Sequence, residues 1–137
     1  MKKRFLIFAA LTIFLVGCSS DSDGNSITEA NVLGKWYLSG IKINSEPFTA
    51  QTHDCSTSKD FNEIFSNHHI VYTGYGTDCA VDDTEDNTWS LEGKVFSIIY
   101  DGSTPPDVYE IIKLTDTEMR MKQTDGADSY VYYLNRI

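Results

Sequence analysis

The chain has 137 residues, with 11 basic against 20 acidic side chains and a formal net charge of −9. One domain fits that length, and it is long enough to bury a core. Phosphate binding needs clustered Lys and Arg, and beyond Arg4 no such cluster occurs, so the composition disfavours nucleic acid as a partner.

Lys2, Lys3 and Arg4 precede an apolar run from Phe5 to Val16, then Gly17 and Cys18. About twelve apolar residues are too few for a bilayer core of roughly 30 Å, and the order is that of a secretory signal. Leu15-Val16-Gly17-Cys18 resembles the lipobox of bacterial lipoproteins, whose cysteine thiol receives a diacylglycerol and becomes the new N-terminus. The resemblance implies a signal peptide over 1–17, acylation of the palmitate type at Cys18, and the membrane as a partner. Each buried CH₂ contributes ~0.8 kcal/mol, so several chains anchor stably where one would not. Ser19 to Ser26 (SSDSDGNS) cannot bury enough apolar surface to order itself and reads as a flexible tether spanning 18–27. Ser19 directly after the cysteine favours the outer membrane. The Ser/Asp-rich tag also resembles the export signals of surface lipoproteins, which makes surface display a further expectation.

Removing residues 1–17 takes three basic residues with it and leaves 8 basic against 20 acidic, a net charge of −12. Two cysteines then remain besides Cys18. In an oxidising compartment Cys55 and Cys79 read as a disulfide closing a loop of about 24 residues, worth ~3 kcal/mol in the chain-entropy picture. Free thiols or metal ligands are the alternative.

The folded domain is expected over 28–137. ITEANVLG (27–34) can make one helical turn, with Thr28 as N-cap and Gly34 as terminator. Alternation of period two comes next. KWYLSGIKIN (35–44) is the first strand. Trp36 and Leu38 share a face and Ile41 and Ile43 take the opposite parity, so Gly40 marks a bulge or bend. DFNEIFS (60–66) and HIVYTGY (69–75) flank an Asn67-His68 turn, and DCAVDDTEDN (78–87) reads as an acidic loop. Thr88–Leu91 and Lys94–Tyr100 form a hairpin around Glu92-Gly93. After the turn DGSTPPD (101–107) come VYEIIKL (108–114), EMRMKQT (118–124), an Asp125-Gly126 turn and SYVYYLNR (129–136). Eight strands with short connections favour an all-β, antiparallel up-and-down barrel with a short N-terminal helical turn; a two-sheet sandwich is the competitor.

A helical turn followed by Gly34-Lys35-Trp36 entering such a meander resembles the lipocalin signature. The whole mature chain resembles the lipocalin-like domains of small bacterial lipoproteins. The matching features are LGKWYL, Cys55 followed by Lys59-Asp60-Phe61, Cys79, Thr88-Trp89-Ser90-Leu91, and IIKLTDTEMRM, over about 28–136. The resemblance implies a tryptophan packed across the closed end of the barrel. It also implies a later arginine stacked on that ring, for which Arg136 is the candidate by position.

His68 and His69 invite a metal reading. Neighbours on a strand point to opposite faces and no ligand pairs recur at regular spacing, so with His53 they read as solvated loop histidines. Asp82, Asp83, Glu85 and Asp86 offer oxygens to a hard cation but lack the glycine-bearing twelve-residue loop, and DSDGN (21–25) matches only part of one. No serine lies in a G-x-S-x-G context and no histidine in H-E-x-x-H, so no catalytic residue, metal or cofactor is expected. Trp36, Leu38, Trp89, Leu91, Phe96, Ile98, Tyr100, Ile112, Met119, Met121 and Tyr132 are expected to share one interior, with Glu110 as a polar contact of the same parity as Ile112. These residues form either a plain core or a pocket for a small apolar or amphipathic ligand at the open end. A filled barrel that binds a protein or glycan through its surface is the alternative.

Overall fold

The computed structural model describes residues 24–100 and 105–137. The expected signal peptide, Cys18, most of the tether and the first part of the 101–107 turn lie outside the described residues.

A single helical turn, α1 (Glu29–Val32), leads into β1 (Gly34–Ile43), β2 (Thr49–Ala50), β3 (Phe61–Ile64), β4 (His69–Tyr75), β5 (Val81–Glu92), β6 (Val95–Ile99), β7 (Asp107–Leu114), β8 (Glu118–Asp125) and β9 (Asp128–Arg136). From β3 to β9 each strand pairs antiparallel with the next. β1 pairs with β3 on one side and with β9 on the other, so eight strands close into a barrel. β2 is a two-residue ribbon beside Gly40 and Ile41. Closure leaves no open edge along the ring.

The closed end is built on Trp36. Its indole is fully buried and donates from Nε1 to the Val32 carbonyl at 2.8 Å. The Arg136 guanidinium lies 4.1 Å from the centre of that ring. It donates from Nη1 to the Leu33 carbonyl at 2.6 Å and from Nη2 to the Asn31 carbonyl at 2.9 Å. Three successive carbonyls at the end of α1, which a four-residue helix leaves unpaired, are thus satisfied by two side chains from the barrel. Thr28 takes the N-cap position but makes no side-chain cap bond, so the turn is held from its other end. Gly34 sits at φ +115°, and a Cβ there would meet Arg136 Nη1 at 2.7 Å. The glycine of the Gly-x-Trp signature therefore serves both the backbone and the cation beneath it.

Around this floor pack Ile64, Ile70, Trp89, Phe96, Ile111, Leu114, Met119 and Leu134. Trp89 stacks on Phe96 with ring centres 5.4 Å apart and donates from Nε1 to the Phe65 carbonyl at 3.0 Å, fixing the 65–68 turn. The last residues of the expected tether are not free of the barrel. Asn25 donates its backbone N–H to the Leu114 carbonyl, and Ile27 packs against the core.

Gly40 lies at the expected bulge, where the β1–β9 register shifts between Leu38 and Gly40. The Phe48 ring and the Thr49 carbonyl press so closely there that a Cβ would overlap them. The two tight turns fall one residue later than expected, at 93–94 and 126–127, with the glycine in the first turn position. A larger correction concerns 78–87. Most of the acidic run is strand, not loop, because β5 begins at Val81 and its 81–88 half pairs with the whole of β4. Composition hid it: a strand at the barrel rim meets water and needs few apolar residues.

Cys55 and Cys79 form a disulfide. It ties the 51–60 connection to the β4–β5 turn at the open end, where the four-residue β3 leaves part of the wall to that connection.

Replacing Arg136 by Met keeps the stem and relieves its buried, unpaired Nε, but strands two carbonyls. Loss of two charge-assisted bonds from a buried site is expected to cost about 2–4 kcal/mol, read as a lower urea midpoint at unchanged slope.

Candidate functional site

Directly paired residues share a face, so the register identifies the barrel lining. At the floor it is apolar: Trp89 opposite Ile98, Leu91 opposite Phe96, Met119 opposite Leu134. Toward the open end it turns polar. Asn62 stands opposite Tyr72, Tyr72 opposite Glu85, and Ile70 opposite Asn87. These residues, with Ile98 and Tyr100, line a cavity of about 180 Å³.

Across the mouth, Tyr109 meets Tyr132 edge to face at 5.7 Å. The Tyr132 hydroxyl donates to Gln123 Oε1 at 3.0 Å. Tyr100 lies close to both Tyr109 and the Asp107 carboxylate. β7 and β8 are paired from Glu110 and Lys122 toward the floor. Beyond that pair a second hollow of about 560 Å³ lies at the rim, bordered by Asp107, Gln123, Tyr130 and Tyr132. The mouth is thus a ring of phenols, amides and carboxylates above a greasy floor.

Burial raises the pKa of Tyr100, Tyr132 and Tyr72, and nearby acids add to it: Asp107 for Tyr100, Asp60, Asp83 and Glu85 for Tyr72. Tyr109 is pushed furthest, chiefly by burial and then by Tyr100 and Asp107. Neutral phenols in this ring can donate as well as accept hydrogen bonds.

The expected pocket residues divide into three groups. Trp36, Trp89, Phe96 and Met119 are floor, almost wholly buried, and Leu38 and Leu91 are half-buried beside them. Ile98, Met121, Tyr100 and Tyr132 face the cavity or its rim. Glu110 and Ile112 do not face inward. Both lie exposed on the outer surface, while Ile111 is fully buried and Tyr109 faces in. VYEII is apolar at both parities, so alternation alone could not select the inner one. The register does so through Phe96 opposite Tyr109 and Ile111 opposite Met121.

Asn62, Tyr72, Glu85, Asn87, Asp107, Tyr109 and Gln123 are lining residues that the sequence reading missed. A signal for three of them was present: counting down by twos from Trp89 gives Asn87 and Glu85, and counting up from Ile70 gives Tyr72.

Of the three histidines, only His68 is an exposed turn residue as expected; His53 lies buried in the 51–60 connection and half-exposed His69 opens β4. His53 is buried at its side chain; Asp60 N–H donates to Nδ1 at 3.2 Å, and Nε2 faces the Leu38 carbonyl at 3.1 Å. His68 packs on Trp89, and His69 Nδ1 meets Asp86 Oδ1 at 2.8 Å. Among the described residues no three His, Cys, Asp or Glu side chains gather to hold a metal ion.

A closed eight-stranded antiparallel barrel with a plugged floor and an open polar mouth defines the class of up-and-down β-barrels. A lipocalin-like domain family matches residues 32–121, and the chain belongs to that family. No curated protein matches it in sequence. Among solved structures, it is similar to a lipocalin-like protein from Bacteroides uniformis at 14% identity and a TM-score of 0.60, covering 78% of this chain and 99% of that one. It is also similar to an uncharacterized protein from Bacteroides eggerthii, at 13% identity and a TM-score of 0.59, covering 77% and 98%. At such identity these structures share the fold.

The buried tyrosines set an alkaline limit. Their folded-state values lie above the ordinary 10.0, so their contribution is intact below about pH 10 and is lost as pH rises beyond it. Tyr109→Phe is expected to move the alkaline unfolding onset upward. Ultraviolet titration of the wild type should show one phenol ionising only as the fold is lost.

Proposed function

We propose that this protein is a lipid-anchored envelope lipoprotein, non-enzymatic, that holds one small amphipathic ligand in the barrel mouth. The observation that carries the reading is the polar ring of Tyr72, Glu85, Asn87, Tyr100 and Asp107 above an apolar floor. Size selects among ligands. A cavity of about 180 Å³ is smaller than the roughly 300 Å³ at which sites for whole drug-sized ligands begin. Each 100 Å² of apolar surface covered contributes about 2.5 kcal/mol, against an association cost of at least about 4 kcal/mol. A purely apolar ligand confined to the cavity gains too little. One that places a hydrogen-bond-donating head among the Glu85 and Asp107 carboxylates and lays an apolar part over Tyr109 and Tyr132 gains enough.

The anchor supports a definite orientation. The chain reaches the barrel at its closed end, where Asn25 bonds to Leu114. Seven residues from Cys18 to Gly24 span at most about 25 Å. Lipidation at Cys18 would hold the floor toward the outer membrane and leave the mouth facing away. A second reading, an interaction module, has one observation in its favour: Val95, Ile99, Val108 and Ile112 are exposed on the outer face of β6 and β7.

Native mass spectrometry of the protein extracted from its own envelope tests the proposal. A bound small molecule is expected, with affinity lowered about tenfold in Glu85→Gln or Tyr100→Phe, the effect of one lost hydrogen bond at a charged group. Apo protein throughout, with a co-extracted macromolecule released by Val108→Lys, would favour the interaction module instead. Radiolabelled palmitate should enter the wild type and not Cys18→Ala.

A further inference from the structure

The outer wall of the barrel carries a further hollow, separate from those at the mouth. It measures about 420 Å³ and is lined by Lys35, Tyr37, Thr57, Ser58, Lys59, Phe61, Tyr75 and Ile137. β1, β3 and β4 supply one side through outward-facing Lys35, Tyr37, Phe61 and Tyr75. The 55–59 segment supplies the other, held at Cys55 by its disulfide to Cys79.

The chemistry is opposite in sign to the rest of the molecule. Only 8 basic residues follow Cys18, against 20 acidic ones, yet two of the eight border this hollow. Each ammonium rests on an aromatic face: Lys35 Nζ 4.8 Å from the Phe61 ring centre, Lys59 Nζ 4.7 Å from that of Tyr37. Lys35 has Glu63 at 3.7 Å, whereas Lys59 pairs with no carboxylate among the described residues. Phe61 and Tyr75 sit 6.4 Å apart and tilted by 41°. Cation–π packing positions an ammonium and leaves its outward N–H bonds free to donate. The Thr57 and Ser58 hydroxyls add neutral hydrogen-bonding capacity on the same side.

We propose that this groove is a binding site for a small anion carried on a ring, a carboxylate or sulfate ester on an aryl or sugar framework. Lys59 is its principal anion contact, Lys35 assists, and the ring face lies against Phe61 and Tyr75. A compact anion without a ring would engage only exposed ammonium groups, where screening leaves little affinity. A neutral ring would leave Lys59 unpaired. The disulfide matters because it fixes the wall carrying Lys59, so the site is preorganised rather than assembled on binding.

The test is amide chemical-shift mapping on the full folded domain, with four probes at millimolar concentration: 2-naphthoate, glucuronate, 2-naphthol and acetate. Saturable shifts at Tyr37, Lys59, Phe61 and Tyr75 are expected with at least one ring anion, and weaker or no shifts with naphthol and acetate. Which ring anion binds more tightly separates an aryl from a sugar source. Lys59→Met keeps the stem on Tyr37 and removes the charge; it should weaken the ring anion about tenfold without moving shifts at Tyr72 or Tyr100. Reduction of the disulfide should weaken binding as well, and an unchanged spectrum for β5 to β8 would show that the barrel persists. No saturable shifts at the groove with either ring anion, or equal binding by Lys59→Met, would overturn the proposal. Mouth binding is read from different amides and stands or falls separately.

Discussion

Three backbone carbonyls govern this fold. Asn31, Val32 and Leu33 end a helix too short to hold itself, and their acceptors are met by Arg136, Trp36 and Arg136 again. These contacts join α1, the first long strand and the last strand at one point. The cation on the indole face closes the β1–β9 seam at the bottom of the ring, and the buried indole leaves no passage through it. The barrel therefore has one open end: the floor is committed to packing, and any ligand chemistry must lie at the opposite rim.

That division explains why the interior is not one long pocket. Trp36, Phe96, Ile111, Leu114 and Met119 are fully buried or nearly so, which is the close packing of a core. Polarity returns to the lining from the Ile70 and Ile98 level upward, where Asn87 and Asp107 stand opposite them. There the tyrosines serve as both wall and hydrogen-bonding groups, and burial keeps them neutral. The disulfide braces the same rim, so the two ends are stabilised differently: cation, indole and backbone below, covalent bond and phenol network above.

Much of this could be read from residue order. Alternation in KWYL and EMRM selected inner faces that the structure keeps, and Gly40 announced its bulge because both flanking runs were apolar at different parities. The helical turn, the eight-strand ring and the cysteine pair were equally legible. What could not be read has physical causes. VYEII carries apolar residues on both faces, so only its neighbours β6 and β8 decide that Ile111 turns in and Ile112 out. VDDTEDN is a strand because β4 offers it a full ladder, a partner that composition does not reveal. The outer groove was invisible because it joins Lys35, Lys59 and Tyr75, whose proximity exists only once the 51–60 connection is bound across the gap left by β3. Arg136 was distinguishable by position alone; its role needed the geometry of α1.

The central claim is a ring closed through the β1–β9 seam. Native-state hydrogen exchange of the Tyr37, Lys42, Val131 and Asn135 amides tests it most directly, compared with amides of the β4–β5 pair. A closed ring predicts that seam amides exchange only through global unfolding, with protection equal to that of β4 and β5. Seam amides that open at markedly lower free energy while β4 and β5 stay protected would contradict it, since the barrel would then be an open sheet with two edges.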